Sequence, residues 1–234
     1  MNLPDTERLK LLGLWPVWRL RDSGTETGFE SADGLVEPQL SGADIAALDW
    51  DGLTAAVQTC TRCGLHGGRK QGVVGVGDRQ ADWLIVGEAP GAEEDRLGEP
   101  FVGQAGQLLD AMLAAIQLKR GENVYIANVL KSRPPNNRDP QPDEVAACLP
   151  YLARQVELIQ PRIILALGRF AAQSLLGSEV AISRLRGGVH RYQGVPLVVT
   201  YHPAYLLRNP ADKAKVWEDL CLARRTLLAG AAAG

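Results

Sequence analysis

The stretch that decides the fold is Trp83-Leu84-Ile85-Val86-Gly87-Glu88-Ala89-Pro90-Gly91. Four apolar residues run directly into a small, turn-forming patch that carries a carboxylate. A short continuous apolar run of this kind is typical of a strand that is buried on both faces of a parallel sheet. Ligands on open α/β sheets bind at the carboxyl ends of strands, so the position of Glu88 alone makes it a candidate site residue.

Two further segments repeat this pattern. The apolar residues 124–127 run into a polar patch that begins with Asn128, and residues 197–201 run into His202-Pro203. A carboxylate, an amide and an imidazole therefore follow three separate predicted strands. The sequence predicts one site that is assembled from distant parts of the chain.

Helical periodicity fills the intervals between the apolar runs. The apolar runs cover residues 82–86, 123–130, 161–167 and 196–201, and the helical segments cover 104–116, 142–159, 169–176 and 211–229. Asp51 is the predicted N-cap of an earlier helix that runs into Cys60. Alternating strands and helices predict an α/β fold: a three-layer α/β/α sandwich with a central, mainly parallel four-stranded sheet.

The N-terminal part of the chain differs from the rest. Residues 6–21 suit a short helix that Pro16 interrupts, and residues 22–43 are rich in Gly, Ser, Asp and Glu, as in a linker. We therefore divide the 234 residues into an extension at 1–50 and a domain at 51–234. The extension is either a loosely packed tail or a docking segment for a protein partner.

Composition limits the possible classes of protein. The chain is 46% hydrophobic and 22% charged, which is ordinary for a globular domain. It has no apolar run of membrane-helix length and no signal-peptide core, so we expect a cytoplasmic protein that does not bind a membrane. The net charge of −2 does not indicate nucleic-acid binding, but local basic clusters, such as Lys131, Arg133 and Arg138, lie beside the predicted site.

Cysteine spacing suggests a second site. Cys60 and Cys63 form a Cys-x-x-Cys pair, which suits a metal, an iron–sulfur cluster or a redox dithiol. In a reducing compartment, structural disulfides are not expected. Cys221 lies in the last predicted helix, where we expect it to be a buried core residue.

Each candidate residue has both a functional and a structural interpretation. Glu88 follows its strand directly, where a side chain points into the crevice. Phe101 can stack on a planar ligand or pack in the core. Asn128 can pair with the edge of a nucleobase or make a turn, and His202 can act as a hydrogen-bond donor or acid–base group or be structural.

Five motifs follow one another along the chain. They are residues 87–95, Pro100-Phe101-Val102-Gly103-x-Ala105-Gly106, Asn128-Val129-Leu130-Lys131, Arg133-Pro134-Pro135-x-Asn137-Arg138-Asp139-Pro140 and His202-Pro203-x-Tyr205-Leu206-Leu207-Arg208. In order and spacing they resemble family 4 uracil-DNA glycosylases, the iron–sulfur type found in bacteria and archaea. The resemblance runs from about Leu53 to Leu228 and does not include residues 1–50.

This resemblance implies an enzyme that flips uracil out of single- and double-stranded DNA and hydrolyses its N-glycosidic bond. Glu88 and Ala89 would line the base pocket, and Glu88 would place the water. Phe101 would stack on uracil, Asn128 would read its Watson–Crick edge, and Glu94 would occupy the space of a thymine methyl group. His202 would hydrogen-bond the O2 of the departing base. The 203–210 loop would wedge into the DNA, with Tyr205 and Arg208 as contacts.

The resemblance also implies a [4Fe–4S] cluster held by four cysteines, and here this sequence departs from the family. Cys60, Cys63 and Cys148 occupy three of the ligand positions, but Ser132 occupies the fourth. Either Ser132 is a ligand through its oxygen, or the cluster has three protein ligands, or the site is empty or holds another metal. The chemical step itself needs no cofactor.

Three functions therefore compete. The leading hypothesis is a monomeric uracil-DNA glycosylase of base-excision repair. The second is a catalytically weak protein with the glycosylase fold that binds DNA or a repair partner. The third is a redox or zinc protein built on Cys60 and Cys63.

Overall fold

The computed structural model of this protein describes residues 40–232. The helix expected at 6–21 and nearly all of the expected linker at 22–43 lie outside the described residues. The strands are β1 (Val76–Gly77), β2 (Trp83–Gly87), β3 (Val124–Asn128), β4 (Ile163–Leu167), β5 (Val189–Tyr192) and β6 (Val195–Thr200). The α-helices are α1 (Gly42–Ala46), α2 (Trp50–Gln58), α3 (Ala92–Leu97), α4 (Gln104–Ala115), α5 (Pro142–Ile159), α6 (Gly168–Leu176), α7 (Ile182–Leu185), α8 (Pro203–Arg208) and α9 (Lys213–Ala232).

The six strands form one sheet in the order β1-β3-β2-β4-β6-β5. The four central strands are parallel and correspond to the four apolar runs of the sequence. The predicted count of four is too low, because β1 and β5 add antiparallel edges. β1 has only two residues, and β5 lies half outside the core, so neither strand has the continuous apolar pattern of a buried strand.

Helices cover both faces of the sheet, which confirms the three-layer sandwich. Alternate residues of β2 point to opposite faces, as a strand requires. Leu84 and Val86 pack with α5 and α6, whereas Trp83 and Ile85 pack with α4 and α9. The four central strands are therefore buried from both sides, as their apolar sequences predicted.

The first two helices pack on the main body of the chain. Residues 40–232 belong to one compact unit, and fully buried Ile45 of α1 shares a core with Leu53 of α2 and Tyr151 of α5. The N-cap of α2 is Asp49, whose Oδ1 accepts the Gly52 N–H at 2.8 Å. The expectation that Asp51 caps this helix was wrong by two positions. None of the helices in the described part of the chain is long and apolar enough to cross a membrane.

Candidate active site

One cavity opens where β2, β3 and β6 end, and its volume is about 440 Å³. The eight residues assigned from the sequence to catalysis, base recognition and DNA contact all line it: Glu88, Ala89, Glu94, Phe101, Asn128, His202, Tyr205 and Arg208. These residues come from the ends of three strands, from the helices α3 and α8, and from the loop before α4 that holds Phe101. The parallel strands of the sheet bring them together because they end at the same edge.

Asn128 presents an unpaired polar atom in the wall of this cavity. The residue is 2% exposed, and its Oδ1 has no hydrogen-bond partner among the described residues. Such an atom is costly unless a ligand pairs with it. Gly87 makes room for this arrangement, because a Cβ there would lie 2.3 Å from Asn128 Oδ1 and 2.6 Å from the Phe101 ring.

Phe101 lies beside Gly87 in an unusual backbone conformation. Its φ is +57°, a left-handed value that is rare for a bulky residue. Glu94 holds the next two residues, because its Oε1 accepts the N–H groups of Val102 at 3.0 Å and Gly103 at 3.2 Å. Glu94 Oε2 also accepts the Gly91 N–H at 3.1 Å, so this carboxylate fixes two turns of the cavity wall.

His202 is held in one tautomer by its neighbours. Its Nδ1 accepts the Ala204 N–H at 3.1 Å, so in the neutral ring the proton is on Nε2. Burial and the nearby Arg208 lower the pKa of His202 to about 4, although Glu94 opposes this change. With this pKa the ring is a neutral hydrogen-bond donor at neutral pH. It lies 5.4 Å from the Phe101 ring, beside an aromatic surface.

Glu88 is half-buried directly after β2. Burial, followed by the charge of Asp139, raises its pKa to about 7, and Arg169 acts in the opposite direction. A carboxyl group with such a pKa exchanges its proton near neutral pH, which suits a general base.

The rim of the cavity is held by ion pairs and hydrogen bonds. Arg138 makes a two-pronged ion pair with Glu144, with one contact of 2.9 Å, and also donates to the Asp139 carbonyl. Tyr205 donates its hydroxyl to Asp212 at 2.6 Å. Arg208 lies exposed at the end of α8. Of the two predicted DNA contacts, Arg208 has the more accessible polar group, since the hydroxyl of Tyr205 already has a partner.

Comparison with known proteins gives the family. A family model described as the uracil DNA glycosylase superfamily matches residues 74–221. This chain belongs to that superfamily. The type-4 uracil-DNA glycosylase of Archaeoglobus fulgidus is 48% identical over 177 residues, which are 72% of this chain and 88% of that protein.

Two further relatives are also described as uracil-DNA glycosylases. The type-4 uracil-DNA glycosylase of Thermotoga maritima is 45% identical over 168 residues, or 70% of this chain and 87% of that protein. A type-5 uracil-DNA glycosylase of Pyrobaculum aerophilum is 32% identical over 150 residues, which are 57% of this chain and 66% of the relative. The family resemblance inferred from the motifs is thus confirmed.

Cys60, Cys63 and Cys148 do not all share the same hydrogen-bond partners. Cys63 and Cys148 are hydrogen-bonded through their thiols, which lowers the pKa of Cys63. The thiol of Cys60 is hydrogen-bonded to Tyr151 instead. Within residues 40–232, no three His, Cys, Asp or Glu side chains are grouped to hold a metal ion.

Ser132 lies buried beside this region, and its hydroxyl already has a partner. Arg69 donates to Ser132 Oγ at 2.6 Å and to the carbonyl oxygens of Gln58 at 2.8 Å and Cys60 at 3.0 Å. The donor set thus offers three thiols that suit an iron–sulfur cluster and one hydroxyl that does not fit the usual fourth position. Cys221 is half-buried in α9, so the expectation of a buried core cysteine was wrong.

Some residues near the cavity were missed from the sequence. Asp139, in the loop before α5, and Arg169, in the first turn of α6, are paired at 3.3 Å and act on Glu88 from distant parts of the chain. Lys131 was placed in a local basic cluster, yet it is 1% exposed and donates to Asn128 O at 2.8 Å and Gln155 Oε1 at 2.6 Å. Lys131 therefore supports the Asn128 turn and is not available to a DNA phosphate. Charge pattern alone does not distinguish these two roles.

Proposed function

We propose that this chain is a uracil-DNA glycosylase that hydrolyses the N-glycosidic bond of uracil flipped out of DNA, as a step of base-excision repair. The observation that carries the proposal is the Oδ1 of buried Asn128, which has no partner within residues 40–232 and lies in a cavity that also holds Glu88 and His202. Membership of the superfamily supports the same activity. The base must leave the helical stack before a cavity of this kind can enclose it.

Recognition of the base rests on Asn128 and Phe101. The amide of Asn128 offers an acceptor and a donor, which complement the N3–H and the O4 of uracil. The Phe101 ring supplies a flat apolar surface for stacking. Ala89 and Glu94 line the same cavity, and we propose that Glu94 occupies the space that a thymine methyl group would need.

We propose that His202 stabilises the leaving group. Breaking the glycosidic bond puts negative charge on the uracil oxygens, and a fixed donor aimed at one of them stabilises the transition state. A neutral imidazole with its proton on Nε2 is such a donor. The imidazole is neutral and remains so, because it donates a hydrogen bond to the uracil anion without losing its proton.

We propose that Glu88 acts on the other side of the breaking bond. The ionised carboxylate orients and deprotonates the attacking water, and its negative charge stabilises the positive charge that develops on the sugar. Burial raises its pKa to about 7, so the carboxylate accepts a proton more readily than an exposed glutamate does. The proton of the water passes to Glu88 while the water oxygen bonds to C1′.

We propose that the DNA strand crosses the rim of this cavity. Arg208 is exposed at the end of α8 and suits a phosphate contact, and the proposed wedge at 203–210, expected as a loop, consists mainly of α8. Tyr205 would contact the DNA through its ring, because its hydroxyl is bound to Asp212. We further propose a cytoplasmic monomer that acts on single- and double-stranded DNA, with residues 1–50 as an extension that can meet a protein partner.

We also propose an iron–sulfur cluster held by Cys60, Cys63 and Cys148. The type-4 relatives and the Cys-x-x-Cys spacing support it, whereas Ser132 does not fit as a fourth ligand while its hydroxyl is hydrogen-bonded to Arg69. When bound, the cluster has a structural role. The proposed mechanism uses only Glu88, Asn128, Phe101 and His202.

The proposal is tested by uracil excision from a labelled oligonucleotide, read as alkali-sensitive cleavage, with a thymine-containing strand as control. We expect cleavage at uracil only. In His202→Ala, kcat should fall by roughly 100- to 1000-fold, the typical loss for one donor to a developing oxyanion. His190→Ala is the matched control, because that ring bonds the Leu185 carbonyl and does not line the cavity.

The outcomes separate the two main hypotheses. A folded wild-type protein that binds uracil-containing DNA without excising uracil would contradict the enzymatic proposal. It would favour the weakly catalytic binding protein instead. Excision that is unchanged in His202→Ala would contradict the role of His202 alone.

A further inference from the structure

Phe101, the proposed stacking surface, depends on a backbone conformation that needs support. Its φ of +57° is sterically unfavourable for an aromatic residue, and its side chain is 6% exposed. Conformations of this kind persist only where the surroundings hold them in place. The contacts that hold this turn therefore affect how the Phe101 ring faces a base.

Two charged side chains hold the turn from opposite sides. Glu94 accepts the N–H groups of Val102 and Gly103, as described above. On the other side, Arg120 donates from Nη1 to the Pro100 carbonyl oxygen at 2.9 Å and from Nη2 to the Phe101 carbonyl oxygen at 2.8 Å. The peptide groups before and after Phe101 are thus fixed by charge-assisted hydrogen bonds.

Arg120 is itself oriented. Its Nε donates to Asp110 Oδ1 of α4 at 3.0 Å, and its side chain is 23% exposed. The planar guanidinium group therefore has three acceptors on two sides, a geometry that the single ammonium of lysine cannot reproduce. A Cβ at Gly106 would lie 1.7 Å from the Phe101 carbonyl oxygen, so α4 packs directly against the same turn.

The support reaches the reacting centre through Phe101. A Cβ at Gly87 would lie 2.6 Å from the Phe101 ring, and this ring lies 5.4 Å from the His202 ring. Arg120 does not line the cavity itself. Arg120 bonds the backbone on both sides of the Phe101 N–Cα–C unit, so its route to the cavity runs through the position of the Phe101 ring.

We propose that Arg120 is a positioning residue that holds Phe101 in the orientation needed to stack on the flipped base. This inference rests on the proposed uracil-DNA glycosylase function. It assigns a role in base binding to a residue outside every motif that carries the family resemblance.

The test compares Arg120→Met with Arg154→Met. Arg154 is a matched control, because its side chain is 20% exposed, and it too bonds a carboxylate, Glu157, and a backbone carbonyl, that of Leu48. In single-turnover excision, we expect Arg120→Met to weaken the binding of uracil-containing DNA about tenfold or more, with a smaller change in the maximal rate. Arg154→Met should keep wild-type kinetics, even if both variants lose similar thermal stability.

Two further variants separate positioning from general damage. Arg120→Lys should recover only part of the lost binding, because one ammonium cannot bond both carbonyl oxygens and Asp110. In the Phe101→Ala background, Arg120→Met should cause little additional loss, since the residue through which it acts is gone. A full additional loss in that background would overturn the inference.

A spectroscopic measurement makes the inference independent of activity. The chain has three phenylalanines, at positions 29, 101 and 170, so NMR with labelled phenylalanine resolves few signals. We expect the Phe101 ring signal to move in Arg120→Met and to stay in place in Arg154→Met. An unmoved Phe101 signal in Arg120→Met overturns the inference, whether or not the wild type excises uracil. An inactive wild type would count against the proposed function instead.

Discussion

The charge state of Glu88 should determine how uracil excision depends on pH. Burial raises the pKa of this carboxyl group to about 7, and the base form is the one that accepts the proton of water. Activity should therefore be lost as the pH falls through about 7. About 1% of Glu88 is ionised two pH units below its pKa, so the rate at pH 5 should be roughly 100-fold below the plateau. His202, with a pKa of about 4, stays neutral over this range.

The two charges near Glu88 should move this acidic limb in opposite directions. Asp139→Asn removes a charge that raises the pKa, so the limb should move to lower pH, whereas Arg169→Met should move it to higher pH. Both side chains are well exposed, at 71% for Asp139 and 51% for Arg169. Exposed pairs contribute about 0.2–1 kcal/mol, which corresponds to shifts of about 0.1–0.7 of a pH unit. Both shifts should shrink as salt is added.

The assay is single-turnover excision of uracil between pH 5 and pH 9 at low ionic strength. Arg162→Met is a suitable control, because Arg162 is similarly exposed and pairs with Asp82 instead. Glu88→Gln should remove the acidic limb along with most of the activity. The reasoning is refuted if the wild-type limb lies near the ordinary value for glutamate, or if Asp139→Asn and Arg169→Met shift it in the same direction.

Three more predictions follow from single contacts. Gly87→Ala should weaken the binding of uracil-containing DNA, because the new Cβ would lie within 2.6 Å of both Asn128 Oδ1 and the Phe101 ring. Gly42→Ala is the control, because its Cβ would meet no neighbouring group within 4 Å. Equal affinity in both variants would contradict the close packing of Gly87 against Asn128 and Phe101. Lys131→Met should lower the free energy of unfolding by roughly 2–4 kcal/mol in urea denaturation, since buried acceptors on Asn128 and Gln155 lose their donor. Lys119→Met, at an exposed lysine, should have little effect. A similar loss of stability in both variants would refute the explanation. Ser132→Cys should raise the iron and acid-labile sulfide bound per chain in anaerobically purified protein, because it replaces the hydroxyl bonded to Arg69 by a fourth thiol. Unchanged iron content would contradict the inference that Ser132 does not serve as the fourth ligand.

Local sequence determined the elements and the chemistry at their ends. The runs at 82–86, 123–130, 161–167 and 196–201 predicted the four central strands, because strands buried on both faces must be apolar throughout. Glu88, Asn128 and His202 directly follow such strands, and parallel strands end at a common edge, so their meeting in one cavity could be expected before the fold was known. The edge strands β1 and β5 were missed since they are short and half-exposed.

Only the tertiary structure decided the environment of each site residue. The pKa values of Glu88 and His202 depend on burial and on charges from separate elements of the fold, which no local pattern encodes. Lys131 reads as a surface cation in the sequence, yet the fold buries it against Asn128. The sequence alone determined which groups are present at the strand ends. Long-range packing decided which of them are neutral, which are held by a neighbour such as Arg120, and which are left unpaired for a ligand, because desolvation and hydrogen bonding depend on residues that are distant in the chain.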